Sequence, residues 1–445
     1  MLTITSQPAP LMLAARSEPQ LGYLLLTISL TAQHGRRPIN WALIADASRS
    51  MRIPIVDEQQ FRQLVQSGGA REVLVDGIPV WQLTGPVPPE IRDHAPSALD
   101  YVRRALHTVV EQLGPDDRFA LVAVADDAVV LAGSRPGDDR SDLARGIERL
   151  RELTLGENTD LARGLALGLE ELRFGRDARR SDRILLLTDG FTQRPEACLE
   201  LAALASAEGV TIGTIGLGGE FQEQLLTALA DQSGGRALFL QKPAAIPRTV
   251  AAELNAARSG LARSARLRIR PAAAIRLRRV TRIRPDLAPL FDHTTDAGEP
   301  ANLPLGDFAG GTPVHVLLEF LVPPATSGVI TLAQVAVIAD DSQAEKVLAA
   351  EVTAGLPLLD PQVHAAAAAA SATRLQQRAL AAAERGERSE AIRLLDAAAT
   401  RYDELGETRL AQSAREQVQA LRQTGRLSAL ATKELTYATR RLGTV

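Results

Sequence analysis

The chain has 445 residues, of which 45% are hydrophobic, so it can bury cores in roughly two to four domains. A formal net charge of -3 gives no general reason to expect nucleic-acid binding, and no run of about eighteen apolar residues predicts a membrane span. The single cysteine, Cys198, excludes an intrachain disulfide, and the first residues lack the basic start of a secretory signal, so we expect a cytoplasmic protein.

Short apolar runs near both ends of the chain predict β-strands. They lie at 2–4, 11–14, 23–30, 267–269, 275–277, 314–318 and 329–332. Several alternate with Arg or His, as the strands of a half-exposed antiparallel sheet do. The first group is too short to bury a core alone. We therefore expect one β-sandwich formed by residues 1–36 and 260–357, with two small separate β-units as the alternative.

Strands and helices alternate between these two segments, in residues 37–259. The predicted strands are 39–45, 119–124, 128–131, 184–188, 210–215 and 237–240, and the predicted helices are 98–113, 142–151, 161–172, 195–208 and 221–232. Such alternation is typical of a doubly wound, Rossmann-like α/β domain. We expect this domain to be an insertion into the β-sandwich.

Three stretches of the α/β segment place polar residues next to a predicted strand or helix. Asp46, Ser48 and Ser50 come at the end of the first predicted strand of this segment, and Asp189 follows a later one. Thr159 lies just before a predicted helix. Carboxyl and hydroxyl oxygens at the carboxyl edge of a parallel sheet suit a hard cation such as Mg²⁺. The alternative interpretation is a polar turn in which the Asp and Ser side chains cap a helix.

Together the three stretches resemble the metal-ion-dependent adhesion site (MIDAS) of the von Willebrand factor type A (VWA) family. That family has Asp-x-Ser-x-Ser, then a Thr, then an Asp, each on a separate loop above a parallel sheet. The matching residues are Asp46, Ser48, Ser50, Thr159 and Asp189. The resemblance, which extends to 210–218 and the Ser-Gly-Gly at 233–235, implies a bacterial-type VWA domain at 37–259. It also implies that these five residues hold Mg²⁺, with Mn²⁺ or Ca²⁺ as alternatives, and that a Glu or Asp carboxylate of a partner protein completes the site.

Two charged residues, Arg49 and Asp160, stand next to these ligands in the sequence. Arg49 stands where the family commonly has Gly. It either weakens the geometry of the metal site or offers a guanidinium to an incoming carboxylate. Asp160 is not counted as a ligand, because its side chain would point away from the metal if the preceding Thr159 faces it.

Residues 51–96 form an insert that follows the metal loop directly, where the family usually begins its first long helix. A helix is predicted at 58–66, and a β-hairpin at 72–83 that turns at Asp76-Gly77. Two interpretations of the insert remain open. It either shapes the metal face, with Trp81 as a contact for the partner, or is a surface excursion without a role.

Residues 358–445 are rich in Ala and predict a helical region. Helical spacing occurs at 365–370, 375–385, 391–402, 410–423 and 427–442, with Gly386, Gly406 and Gly425 between segments. One helix pair resembles a tetratricopeptide repeat, but a stable array needs about three repeats. We therefore favour a helical hairpin that packs on the sandwich.

Enzymatic functions find little support in the sequence. It has no phosphate-binding Gly-x-x-x-x-Gly-Lys-Ser/Thr loop, no Gly-x-Ser-x-Gly nucleophile elbow and no zinc-type spacing among its histidines. The main prediction is a non-enzymatic protein-binding module that uses a Mg²⁺-occupied MIDAS. The alternatives are a non-catalytic VWA subunit of an ATP-driven complex, of the MoxR or chelatase type, whose ATPase is a separate protein, and a structural scaffold with a vestigial metal site.

Overall fold

The structure, a computed structural model, describes residues 2–31, 37–75, 78–85, 87–92, 95–153, 155–219, 221–309, 312–340, 342–355, 357 and 360–444. The strands are β1 (Leu2–Gln7), β2 (Leu11–Ala14), β3 (Gln20–Leu30), β4 (Ile39–Asp46), β5 (Ala70–Val75), β6 (Ile78–Leu83), β7 (Arg118–Val124), β8 (Ala128–Pro136), β9 (Ser181–Thr188), β10 (Thr211–Leu217), β11 (Ala237–Leu240), β12 (Gly260–Pro271), β13 (Arg276–Arg284), β14 (Ala288–Phe291), β15 (Ala301–Ala309), β16 (Val314–Val322), β17 (Gly328–Ala339) and β18 (Ser342–Thr353). The helices are α1 (Glu58–Gln66), α2 (Pro89–Arg92), α3 (Ala98–Gln112), α4 (Arg140–Glu152), α5 (Leu161–Gly175), α6 (Pro195–Ala207), α7 (Glu223–Ser233), α8 (Ile246–Arg258), α9 (Pro361–Glu384), α10 (Arg388–Glu404), α11 (Thr408–Thr424) and α12 (Ala429–Arg440).

The central sheet has the strand order β11-β10-β9-β4-β7-β8. Its strands pair in parallel except for β8, which pairs antiparallel with β7. Strand β4 lies inside the sheet and all of its residues are buried, as expected for a strand covered by helices on both faces. Helices α3, α4 and α8 pack on one face, and α5, α6 and α7 pack on the other. The predicted doubly wound α/β fold is confirmed.

The insert forms a small unit beside this sheet, made of α1, the antiparallel β5–β6 hairpin and α2. Its base is narrow, because Pro54 and Ser97 form a β-bridge and the Ile55 N–H donates to the Pro96 carbonyl at 3.0 Å. The helix predicted at 58–66 and the predicted hairpin are both present, as α1 and as β5–β6, and these predictions are confirmed. The predicted turn at Asp76-Gly77 and the side chain of Trp81 lie outside the described residues.

Two further sheets combine strands from both sides of the α/β domain. One has the order β1-β3-β16-β13-β14, and the other has the order β15-β12-β17-β18-β2. Strand β3 pairs antiparallel with β16, with Ile28 opposite Val314. Leu26 and Leu318 from the first sheet share one buried core with Leu267 of the second. Strands β2 and β3 thus pair with strands that follow the α/β domain, β18 and β16, as the sequence led us to expect, whereas β1 pairs with β3.

Strands β14, β15 and β18 were not predicted from the sequence. In β18, Glu345, Lys346 and several Ala residues are all poor strand formers. The strand nevertheless pairs with β17 from Ser342 opposite Ala339 to Val352 opposite Gly328. Pairing with the long strand β17 here overrides the weak strand preference of these residues. Such pairing cannot be detected from the sequence of β18 alone.

The C-terminal helices pack on both other parts of the molecule. Helix α9 covers one face of the first five-stranded sheet, where Val363 and Ala370 contact the cluster around Leu25. The segments predicted at 365–370 and 375–385 form the single helix α9. Gly386 and Gly406 follow α9 and α10 with φ of 77° and 76°, a left-handed conformation that Gly adopts at little cost. Among the described residues, no helix is long and apolar enough to cross a membrane.

Helix α12 joins the helical region to the other two parts through a buried ion-pair network. Arg440 binds Asp231 of α7 through both carboxylate oxygens, at 2.9 and 2.6 Å. It also binds Asp286, in the turn between β13 and β14, at 2.9 Å. Arg282 of β13 pairs with Asp286 at 2.7 Å. One arginine near the end of the chain therefore links the α/β domain, the β-sheets and the helices.

A second buried ion pair joins β15 to the α/β domain. The Asp307 carboxylate accepts hydrogen bonds from Ser181 at 2.6 Å and from Arg183 at 2.5 and 2.8 Å, and the Ser264 N–H donates to its other oxygen. Burial raises the pKa of Asp307, but Arg183 and these hydrogen bonds outweigh it, so the pKa lies below its ordinary value. The interface is therefore stabilised by the ionised form of this carboxyl group.

We expect Asp307→Asn to destabilise the protein at pH 7 by about 3 kcal/mol, because Arg183 loses a buried partner. The folded pKa of Asp307 lies below its unfolded value, so its contribution is present above about pH 4 and is lost as the pH falls through the folded pKa. Urea unfolding of both proteins at neutral and acid pH should show a smaller difference in midpoint under acid conditions. A difference that stays constant with pH would contradict this, and Asp292→Asn, which removes an exposed carboxylate, provides the control.

Candidate metal site

The predicted ligands lie at the carboxyl edge of the central sheet. Strand β4 ends at Asp46 and the adjacent β9 ends at Thr188, with Ala45 opposite Leu187 in the parallel register. A 3₁₀ turn (Ser50–Arg52) follows β4 and carries Ser50. Because neighbouring parallel strands end at the same edge, the loops after β4 and β9 meet above the sheet.

Asp46 is the buried centre of the site, with 0% of its surface exposed. Its carboxylate accepts hydrogen bonds from the Ser48 N–H at 2.9 Å, the Thr188 hydroxyl at 2.5 Å and the Thr159 hydroxyl at 3.3 and 3.5 Å. Burial raises the pKa of Asp46, and the hydrogen bonds from Ser48, Thr188 and Thr159 oppose this only in part. The carboxylate is thus held in place by neutral donors.

The outer half of the site connects to this centre through Ser48. The Ser48 and Ser50 hydroxyl oxygens are 3.1 Å apart, and the Ser50 hydroxyl donates to Asp189 Oδ1 at 2.7 Å. Ser48 is buried, whereas Ser50 is exposed and Asp189 is partly exposed. All five predicted residues are therefore linked in one hydrogen-bonded group that runs from a buried carboxylate to the surface.

The loop that carries Thr159 is fixed from several directions. Thr159 forms a parallel β-bridge with Thr192, and the N–H of Asp160 donates to the Ala125 carbonyl at 2.7 Å. The Asp160 carboxylate is turned toward two arginines and pairs with Arg194 at 2.6 Å and Arg163 at 3.2 Å. This agrees with its exclusion from the predicted ligands.

Two residues at the site are not among the five predicted ligands. One is Thr188, whose hydroxyl donates to Asp46. The sequence signal for it was a hydroxyl residue between an apolar strand and Asp189. Gly190 lies against the site, where an added Cβ would be 3.3 Å from Thr159 Oγ1 and 3.8 Å from Asp46 Oδ2. Any larger residue there would occupy space beside the converging oxygens.

Arg49 fits its position without backbone strain. Its φ of -58° and ψ of -38° lie in the right-handed helical region that any residue can adopt, so Gly is not required here. Its side chain is 73% exposed and pairs with Glu157, itself 72% exposed, at 3.1 Å. The arginine therefore lies on the surface beside the site and displaces none of the five side chains.

The residues present fit a small hard cation. A fully buried carboxylate is costly unless a cation balances its charge, and no Lys or Arg among the described residues forms an ion pair with Asp46. Hydroxyl and carboxylate oxygens are the ligand type that Mg²⁺ prefers. Among the described residues, no group of three or more His, Cys, Asp or Glu side chains is placed to hold a metal ion, so a cation at this site would depend on the hydroxyl oxygens as well as on Asp46 and Asp189.

Two segments of the chain match known protein families. Residues 94–252 match the family model described as von Willebrand factor type A domain, and residues 361–445 match the Sll0103-like, C-terminal alpha-helical domain. A similar curated protein, the uncharacterized protein sll0103 of Synechocystis sp., is 29% identical over 159 residues, which are 34% of this chain and 37% of that protein. The match thus spans just over a third of the relative's length. The matched VWA range starts beyond Asp46 and its loop.

Two solved structures share the fold of the whole chain. A von Willebrand factor type A protein from Catenulispora acidiphila has a TM-score of 0.72 at 16% identity, with 99% of this chain and 96% of that chain covered. The ArnB paralog VWA2 from Sulfolobus acidocaldarius has a TM-score of 0.51 at 16% identity, with 100% and 99% covered. At such low identity these likenesses establish the fold alone. The family models thus place a von Willebrand factor type A domain at 94–252 and a Sll0103-like C-terminal alpha-helical domain at 361–445.

Proposed function

We propose that this protein is a non-enzymatic module that binds an acidic residue of a partner protein through Mg²⁺ held by Asp46, Ser48, Ser50, Thr159 and Asp189. VWA domains generally mediate protein–protein interactions and can bind a metal in this way. The observation that carries the proposal is the buried Asp46 carboxylate, which is surrounded by hydroxyl donors and has no ion-pair partner among the described residues. A bound cation would balance this charge.

The chemistry of the site explains why an outside carboxylate would complete it. Three of the five side chains are neutral hydroxyls, and the two carboxylates would act directly or through water. A carboxylate that acted through water would leave part of the Mg²⁺ charge available to another anion, and Mg²⁺ seeks six oxygen ligands. Ser50 and Asp189 are the solvent-facing members. The remaining coordination positions would thus face solvent on their side of the site, where a partner can approach.

Affinity capture with the tagged, full-length protein tests this function. We expect partners retained in Mg²⁺ to be released by EDTA, and Ser48→Ala to capture at least tenfold less, because each lost ligand weakens the metal on which the partner depends. Ser259→Ala, which removes a serine at the exposed end of α8, should capture as the wild type does. Capture that is insensitive to EDTA, or equal capture by folded Ser48→Ala, would contradict the proposal.

A further inference from the structure

Three exposed large apolar residues follow residues of the metal site closely in the chain. Phe191 is 59% exposed, Ile53 is 47% exposed and Ile55 is 40% exposed. Most large apolar residues of the described chain are buried, so exposed ones within a few residues of Ser50 and Asp189 stand out. We refer to Ile53, Ile55 and Phe191 as the apolar border.

The backbone holds this border close to the metal-binding side chains. Phe191 is two residues beyond Asp189, and a residue spans at most about 3.6 Å, so their Cα atoms lie within about 7 Å. The Ile53 N–H donates to the Ser50 carbonyl at 3.1 Å at the end of the 3₁₀ turn. Since the Ser50 and Asp189 side chains are hydrogen-bonded to each other, the backbones of Phe191 and Ile53 both lie near this solvent-facing pair of site residues.

Phe191 and the residue next to Ile53 contact other parts of the protein. The Lys433 amine of α12 lies 5.9 Å from the Phe191 ring centroid and 4.5 Å from that of Phe221. Arg52, next to Ile53, donates to the Ala47 carbonyl at 3.1 Å and to the Arg151 carbonyl at 2.9 Å. A partner would therefore meet a preformed surface and lose less entropy on binding.

We propose that the metal face selects a partner segment in which an acidic residue stands next to a large apolar residue. This inference rests on the proposed function and deepens it. The carboxylate would bind the metal, and the neighbouring apolar side chain would pack on Phe191 and Ile53. The metal supplies charge complementarity, and the border supplies apolar area that an isolated acidic residue would leave exposed.

Selection from a phage-displayed library of random linear peptides tests the proposal. The full-length protein is loaded with Mg²⁺, and bound phage are eluted with EDTA. We expect the eluted peptides to carry Asp or Glu with Leu, Ile, Met or Phe within two positions. An acidic consensus without apolar enrichment would overturn this inference and leave the proposed function intact. A library that yields no EDTA-eluted peptides would count against both.

Substitutions in the border give a second, independent readout. Phe191→Ser and Ile53→Ser should each weaken binding of a selected peptide about tenfold, while Mn²⁺ affinity stays at the wild-type value. Phe174→Ser is the matched control, because this side chain is 71% exposed but lies at the far end of α5, about 20 Å from its first residue. Unchanged peptide affinity in both border variants, with the metal still bound, would overturn the proposal.

Discussion

Asp46→Asn is expected to lose Mg²⁺ and Mn²⁺ binding altogether. Asp46 is the buried carboxylate onto which Ser48, Thr159 and Thr188 converge, and an amide supplies no charge to hold a divalent ion. The variant should fold, because it removes a buried charge that has only neutral partners among the described residues. Its metal-free form should therefore be at least as stable as the metal-free wild type.

Isothermal titration of both metals into EDTA-treated protein measures this directly. Saturating metal, at about a hundred times Kd, should stabilise the wild type by about 2.7 kcal/mol and leave the variant unchanged. Asp127→Asn is the control, since it removes one exposed carboxylate from the loop after β7. Equal binding by Asp46→Asn would place the metal elsewhere. Failure of the wild type to bind would favour the scaffold with a vestigial site.

Arg440→Ala should give the largest loss of stability among these variants, about 3–5 kcal/mol, because the buried Asp286 and the half-buried Asp231 lose a shared cation. Among the described residues, Asp231 then keeps one ion-pair partner, Arg282 at 3.9 Å, and Asp286 keeps Arg282 at 2.7 Å. Since the three residues come from different parts of the molecule, we also expect the helical region of Arg440→Ala to pack less tightly on the other two parts. Limited proteolysis should then cut the chain before α9 faster than in the wild type.

Denaturant unfolding provides the measurement, with Arg393→Ala as the matched control. Arg393 forms an ion pair with Glu390 on the surface of α10, and exposed pairs of this kind contribute roughly 0.2–1 kcal/mol. A loss in Arg440→Ala no greater than in Arg393→Ala would show that the joint between the three parts does not depend on this network.

Local patterns were sufficient where a segment carries its own signals. Helix α1 was predicted at its observed bounds, and Asp57 and Gln60 form a capping box at its start. The mostly apolar run at 39–45 predicted the strand β4, and the polar residues after it predicted the site. The five candidate ligands could be found because they match the MIDAS pattern that the resemblance implies, in loops that adjoin predicted strands and helices.

Features that depend on distant residues were not predictable in the same way. The pairing of Arg440 with Asp231 and Asp286 joins charged residues that have no pattern in common. Strand β18 owes its conformation to β17 rather than to its composition. The unstrained backbone of Arg49 is also visible only in three dimensions, because sequence alone shows merely that a common glycine is replaced.

The pairing of β3 with β16 has a consequence for synthesis on the ribosome. Strands β1, β2 and β3 emerge before the α/β domain, yet β3 gains its second neighbour and β2 its partner β18 only after the whole of that domain has been made. The α/β domain has all the strands of its own sheet as soon as β11 emerges. The nascent chain therefore carries unpaired strand edges while the α/β domain folds. Premature association with other chains would begin at these edges.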